Sequence, residues 1–226
     1  MAVFPAQAIA QRITEVRQNI PPHVRLIAVT KQVSVEAMRA AYDAGIRDFG
    51  ESRIQEAETK RAQLSDLPDV TWHLIGHLQT NKAARALELF DWIHSVDSLK
   101  LAQRLNALAQ DRSVPPQVCL QVKLRSDPNK YGWDQVQLWN DLVDLDACSH
   151  LNIVGIMTIP PLGLTDDETL AVFQDAHQLA EKIRQHPWQT IRMKELSMGM
   201  SGDYPLAIQA GATLVRVGRT LFGDRS

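Results

Sequence analysis

Leu26-Ile27-Ala28-Val29-Thr30 is an apolar run ending in β-branched residues, and Lys31 follows it directly. A run this short and this apolar reads as a buried strand. Ser34, just beyond the lysine, is placed to cap a helix through Tyr42, which Gly45 stops. Strand, short loop and capped helix make one unit, and the unit recurs along the chain. Upstream, Ile9, Ile13, Val16 and Ile20 stand at helical spacing, and Pro21-Pro22 ends that amphipathic helix. Downstream, strands are expected at 47–52, 71–75, 92–96, 118–124, 151–158, 195–198 and 214–217. The helices between them are expected up to Ser65 and at 81–89, 98–110, 133–145, 166–185 and 203–210. The loop 125–132 carries the turn residues Pro128, Asn129 and Gly132.

Eight strands alternating with helices point to an α/β fold: one (β/α)8 TIM barrel with an extra N-terminal helix, a single domain over 1–226. The 226 residues suit an undivided barrel. A doubly wound open sheet is the alternative. Its dinucleotide-binding form would place G-x-G-x-x-G after the first strand, and the chain has none there. The net charge of −2, with basic residues scattered among acids, gives no expectation of nucleic acid or an anionic membrane as partner. Cys119 and Cys148 form no CxxC, and Cys119 sits in an apolar run that reads as a buried thiol. No basic segment followed by an apolar stretch opens the chain, and no run nears the ~18 apolar residues of a membrane span. The expected location is the cytoplasm.

A barrel of this kind carries its site at the C-terminal ends of the strands. Lys31 is at the first of them, either as a desolvated, nucleophilic amine or as a strand-end cation reaching for water. Ser197-Met198-Gly199-Met200-Ser201 and Arg216-Val217-Gly218-Arg219-Thr220 follow the seventh and eighth strands, where such barrels frequently bind phosphate. They offer backbone N–H groups, hydroxyls and guanidinium groups, the parts of a phosphate cradle, or else they are turns rich in small residues. Lysine and cradle together suggest a phosphorylated aldehyde held as a Schiff base. His73 and His77 are four apart, but on a strand and its loop, with no H-E-x-x-H carboxylate, so no metal is expected. His77 is the better ligand contact, and His73 reads as a core histidine. Glu51, Ser52 and Ser95 are either pocket residues or strand-end polar groups. Met157, Met198 and Met200 gather near the expected mouth, with core filling the simpler reading of Met157.

At these residues the chain resembles the pyridoxal phosphate homeostasis protein family. The resemblance runs through Ala28-Val29-Thr30-Lys31, Phe49-Gly50-Glu51-Ser52, the stretch from His73 to Lys82, Gly155-Ile156-Met157-Thr158, the stretch from Leu196 to Asp203, and that from Val215 to Gly223. It implies a barrel like the N-terminal domain of alanine racemase, the fold-type III group. It implies pyridoxal 5'-phosphate (PLP) as an internal aldimine on Lys31, with its phosphate at Ser201, Gly218 and Thr220. Arg219 matches the arginine placed near the pyridine nitrogen. Ser52, His77, Met157, Ser197, Met198, Gly199 and Arg216 complete the implied cofactor-binding set. Ser52 stands where many members have asparagine, and Tyr131 stands before Gly132 where a small residue is common.

The resemblance implies a carrier that buffers or delivers PLP in vitamin B6 homeostasis. The alternative is a fold-type III amino-acid racemase. Racemase chemistry needs a second base, a tyrosine from a further C-terminal domain, and the sequence ends at Ser226, eight residues after Gly218. A monomer without that base, in transient contact with PLP-dependent apo-enzymes, is therefore expected. A phosphate-binding barrel enzyme that uses Lys31 without PLP is the third reading.

Overall fold

Alternating patterns of burial build the molecule. The computed structural model describes residues 6–127 and 130–223; Pro128 and Asn129 of the expected rim loop lie outside them. The strands are β1 (Arg25–Val29), β2 (Asp48–Glu51), β3 (Thr71–Leu74), β4 (Trp92–Val96), β5 (Gln117–Gln121), β6 (Asn152–Met157), β7 (Ile191–Ser197) and β8 (Leu214–Val217). The helices are α1 (Ala6–Gln18), α2 (Val35–Asp43), α3 (Ile54–Gln63), α4 (Ala83–Leu89), α5 (Leu99–Leu108), α6 (Gln135–Asp146), α7 (Asp166–Arg184), α8 (Tyr204–Gln209) and α9 (Arg219–Phe222). The strands close into one parallel barrel in chain order, β8 pairing back onto β1 through Ala28 opposite Val217. Period-two alternation then separates two cores. Leu26, Ala28, Phe49, Trp72, Leu74, Val215 and Val217 point out to the helices. Ile27, Trp92, Cys119, Val154, Met157 and Leu214 point in and fill the barrel.

Local chemistry sets the helix ends. The Ser34 hydroxyl accepts from the Ala37 N–H at 3.3 Å and starts α2, as its position predicts. Gly45 ends it at φ +89°, where Arg17 of α1 donates to the carbonyls of Ala44 and Gly45. Ile9, Ile13 and Val16 are the buried stripe of α1, which packs on α2 and α9. Capping boxes start α6 at Asp134 and α7 at Thr165.

Two expectations are corrected. β7 begins at Ile191, four residues before the expected start. Arg192 and Lys194 are exposed while Ile191 and Met193 are buried, so the charges that read as a loop belong to an alternating strand end that meets solvent. The second correction is α9, one short turn after β8 where no helix is expected. Its four residues are too few to show a helical period. Gly155 explains how β6 and β7 meet: a Cβ there would lie 1.8 Å from the Glu195 carbonyl oxygen.

Candidate functional site

The C-terminal ends of β1 and β8 are neighbours, which brings Lys31 and the glycine segment after β8 together. Gly218 lies against β1 so closely that a Cβ there would be 3.2 Å from Val29, and Lys31 follows Val29 by two residues.

Lys31 is half-buried, and its backbone is clamped from both sides. Before it, Thr30 is fully buried; its N–H donates to Gly50 at 2.9 Å and its hydroxyl to Glu51 Oε1 at 2.6 Å. After it, Gln32 takes the left-handed conformation at φ +60° and donates its N–H to Glu56 Oε1 at 2.5 Å. Lys60 of α3 ties the two sides together. Its ammonium donates to the Thr30 carbonyl at 2.6 Å, to Glu51 at 2.8 Å and to Glu56 at 2.6 Å. Burial raises the pKa of Glu51 against the pull of Lys60. Burial acts on Glu56 too, but donors from Lys60 and the Gln32 N–H outweigh it and lower its pKa. Glu51 is thus part of the clamp behind the lysine. In the sequence Lys60 and Glu56 carry no sign of this role, because their i, i+4 spacing resembles an exposed helix pair.

The cradle forms from local backbone. The Ser201 hydroxyl accepts from the N–H groups of Gly218 and Thr220, at 3.2 and 3.3 Å. Asp203 accepts from the Met200 N–H at 2.5 Å. Gly199 turns the chain at φ +91°, and a Cβ there would lie 2.6 Å from that of Ala207. Gly202 has open space around it. Ser201 is half-buried and Thr220 exposed, so a ligand phosphate can compete for the same N–H groups.

The two arginines part company. Arg216 is buried inside the barrel, donating to Ser197 Oγ at 2.7 Å and to the Thr158 carbonyl at 3.2 Å. Burial brings its pKa down to about 10. Among the described residues it has no carboxylate in salt-bridge contact. Arg219 is exposed at the start of α9.

The remaining candidates surround this centre unevenly. Met157 is buried in the inner core at the end of β6, and Ser197 is fully buried. Met198 belongs to the core shared with the helices. Ser52 lies under Gly76, where a Cβ would be 2.2 Å from the Ser52 carbonyl oxygen. Ser95 donates to the Gly76 carbonyl at 2.5 Å, a strand-end tie. His77 bonds Asp97 at 2.9 Å and stacks on Tyr131 with ring centroids 3.6 Å apart. Lys130, on the loop expected at the rim, donates to the carbonyls of Ile159 and Pro160, so the rim loop after β5 reaches the loops after β3 and β6. Burial lowers the Lys130 pKa while Asp127, at 3.7 Å, opposes the shift. No group of three or more metal-ligating side chains occurs among the described residues, and none of their helices is long and apolar enough to cross a membrane.

Comparison with known proteins identifies the family and the fold. The family model for the alanine racemase N-terminal domain matches residues 5–226. The pyridoxal phosphate homeostasis protein of a Synechocystis species is 49% identical, over 94% of this chain and 96% of its own. That of Escherichia coli K12 is 33% identical, over 96% and 97%. The solved structure of PipY from Synechococcus elongatus with PLP bound has a TM-score of 0.91 at 51% identity, covering 95% of this chain and all of that one (100%). Alanine racemase from Bartonella henselae shares the fold at a TM-score of 0.75 and 19% identity, and the match covers 59% of that enzyme. The chain belongs to the pyridoxal phosphate homeostasis protein family.

Proposed function

We propose that the mouth of this barrel binds PLP reversibly and that the chain buffers or delivers the cofactor. The observation that carries the reading is the junction of β1 and β8: a clamped lysine beside a phosphate cradle on the adjacent strand. The residues present fit the group. The Ser201 hydroxyl and the N–H groups of Gly218 and Thr220 suit a phosphate, and Arg216 is a buried cation without a carboxylate partner among the described residues. When bound, PLP supplies an aldehyde for reversible capture by an amine. Lys31 supplies that amine.

Arg216, inside the barrel, is better placed than the exposed Arg219 to face the cofactor ring. A guanidinium stays protonated and has no acceptor, so it leaves a pyridine nitrogen without a proton and the ring a weak electron sink. That favours storage over carbanion chemistry. The racemase reading needs an opposed base, and the three tyrosines give it little support. Tyr42 bonds Asp69 at 2.5 Å, Tyr131 is an exposed rim residue on His77, and Tyr204 packs on the core shared with the helices. We further propose one domain over the whole chain, acting as a monomer in the cytoplasm and meeting PLP-dependent apo-enzymes only transiently.

The test is the visible spectrum of the protein with PLP, for wild type and Lys31→Ala, before and after borohydride. The expected result is a yellow band that borohydride fixes onto Lys31 and that the variant lacks. A variant with the same band and the same borohydride-stable adduct would remove Lys31 from the reading. Transfer of PLP to an apo-enzyme, without racemase turnover, is the outcome expected of a carrier.

A further inference from the structure

A file of polar side chains crosses the barrel from its floor to its mouth, through an interior otherwise packed with Ile27, Cys119, Val154 and Leu214. Arg216 donates to Ser197 Oγ at 2.7 Å. Ser197 Oγ meets His94 Nδ1 at 2.7 Å. His94 Nε2 meets His73 Nδ1 at 3.0 Å, and His73 Nε2 meets Asp48 Oδ1 at 2.9 Å. Asp48 opens β2 at the floor, 3.7 Å from the Arg25 guanidinium. His73, His94 and Ser197 are each fully buried.

Hydrogen-bond chemistry allows one proton order along this file. From the floor, a carboxylate only accepts, so His73 carries its proton on Nε2 and presents a bare Nδ1. His94 must then donate from Nε2, which leaves its own Nδ1 bare. From the mouth, Ser197 Oγ accepts from Arg216, and its hydroxyl proton has His94 Nδ1 as acceptor. The two ends reach the same tautomers independently. Any other order leaves a buried donor or acceptor unmatched.

We propose that Asp48, His73, His94 and Ser197 are positioning residues that hold the Arg216 guanidinium in one orientation at the mouth, through a one-directional hydrogen-bond chain. The orienting role toward PLP rests on the proposed function; the chain itself does not. Charged and titratable groups surround the imidazoles on several sides. His73 faces Asp48, Arg25, Asp91 and His94, while His94 faces His73, Arg216 and Arg25. Trp92, under Arg25, covers both rings at the floor, with ring centroids 5.6 and 5.7 Å away. Burial lowers the pKa of His73, and that of His94 strongly, the direction that favours the neutral rings this order requires.

Nitrogen-15 NMR of the full chain without cofactor tests the order directly. Both rings are expected as neutral Nε2–H tautomers from pH 6 to 8. A proton on either Nδ1, or titration near the ordinary value of about 6.5, would overturn the chain. Positioning is read from exchange of the Arg216 guanidinium protons with solvent. His94→Leu removes the acceptor for Ser197 and should speed that exchange at least about tenfold. His94→Gln keeps an acceptor and a donor and should restore most of the protection. Unchanged exchange in His94→Leu sinks the proposal. Should that variant not fold, Asp48→Leu at the floor makes the same demand on Arg216. PLP binding is the second readout, with at least about tenfold weaker affinity expected in His94→Leu. A wild type that binds no PLP would refute the proposed function, while tautomers and exchange would still decide the chain.

Discussion

The cradle and the lysine loop sit side by side at the mouth, and they are built in opposite ways. The cradle is built from backbone: Ser201, Gly218 and Thr220 meet through backbone N–H groups and one hydroxyl, over two short segments. The Lys31 loop is held by side-chain charge, with Lys60 on α3 reaching Thr30, Glu51 and Glu56. A backbone cradle tolerates neighbours that move, because its donors are its own N–H groups. A clamp made of buried charges is all-or-none, since each ion is costly to bury without the others. Lys60 is where the two designs separate most.

Lys60→Met should produce the largest effect. It takes the cation from the buried Glu51, the half-buried Glu56 and the Thr30 carbonyl, and a broken buried pair costs about 3–5 kcal/mol. Urea denaturation would show the loss at neutral pH. The loss should shrink as pH falls toward 4, because the stranded acids then take up protons. The sign follows from the wild type. Glu56, lowered in the fold, adds stability above the ordinary carboxyl range and loses it as pH falls. Glu51, raised in the fold, works the other way and is least favourable as pH rises. Adding Glu51→Leu should recover part of the deficit. A Lys60→Met protein as stable as wild type at pH 7 would mean the clamp carries no load.

On the cradle side the matching probe is Gly199→Ala. Its φ of +91° and the 2.6 Å approach to Ala207 leave no room for a Cβ. The expected cost is about 1–3 kcal/mol, with weaker phosphate binding, since the turn before Ser201 must shift. Gly202→Ala, in open space, should stay within about 0.5 kcal/mol. Equal effects at the two glycines would break the account of the cradle as a backbone device.

The same contrast governs what could be read before the structure. The barrel, its strand order and the glycine segments were legible because periodicity, caps and turn residues are local signals. Ser34 and Gly45 stand where the sequence places helix ends. The start of β7 was hidden because Arg192 and Lys194 look like loop residues until their alternation with Ile191 and Met193 is seen. Lys60, Glu56 and His94 were hidden for a different reason. Lys60 and Glu56 look like an exposed helix pair until α3 packs over the loop after β1, and His94 meets Ser197 only when the barrel closes, across 103 residues of chain. The one available hint was His94-Ser95, two polar residues inside the apolar stretch Trp92–Val96.

The smallest effect tests whether the clamp stores strain beside Lys31. Gln32 holds φ +60° without being glycine, a conformation that costs a side chain about 1 kcal/mol. The bond it makes to Glu56 comes from its backbone N–H, so a change of side chain leaves that bond in place. Gln32→Gly therefore relieves the backbone but adds freedom to the unfolded chain, two terms of similar size and opposite sign. The expected net change is within about 0.5 kcal/mol, measurable as a small shift in Tm. Gln32→Val should instead lose about 1 kcal/mol or more, because a β-branched side chain fits the left-handed region poorly. If Gly and Val were equally harmless, the loop would be free to relax, and Lys31 would owe its place to something other than the clamp around it.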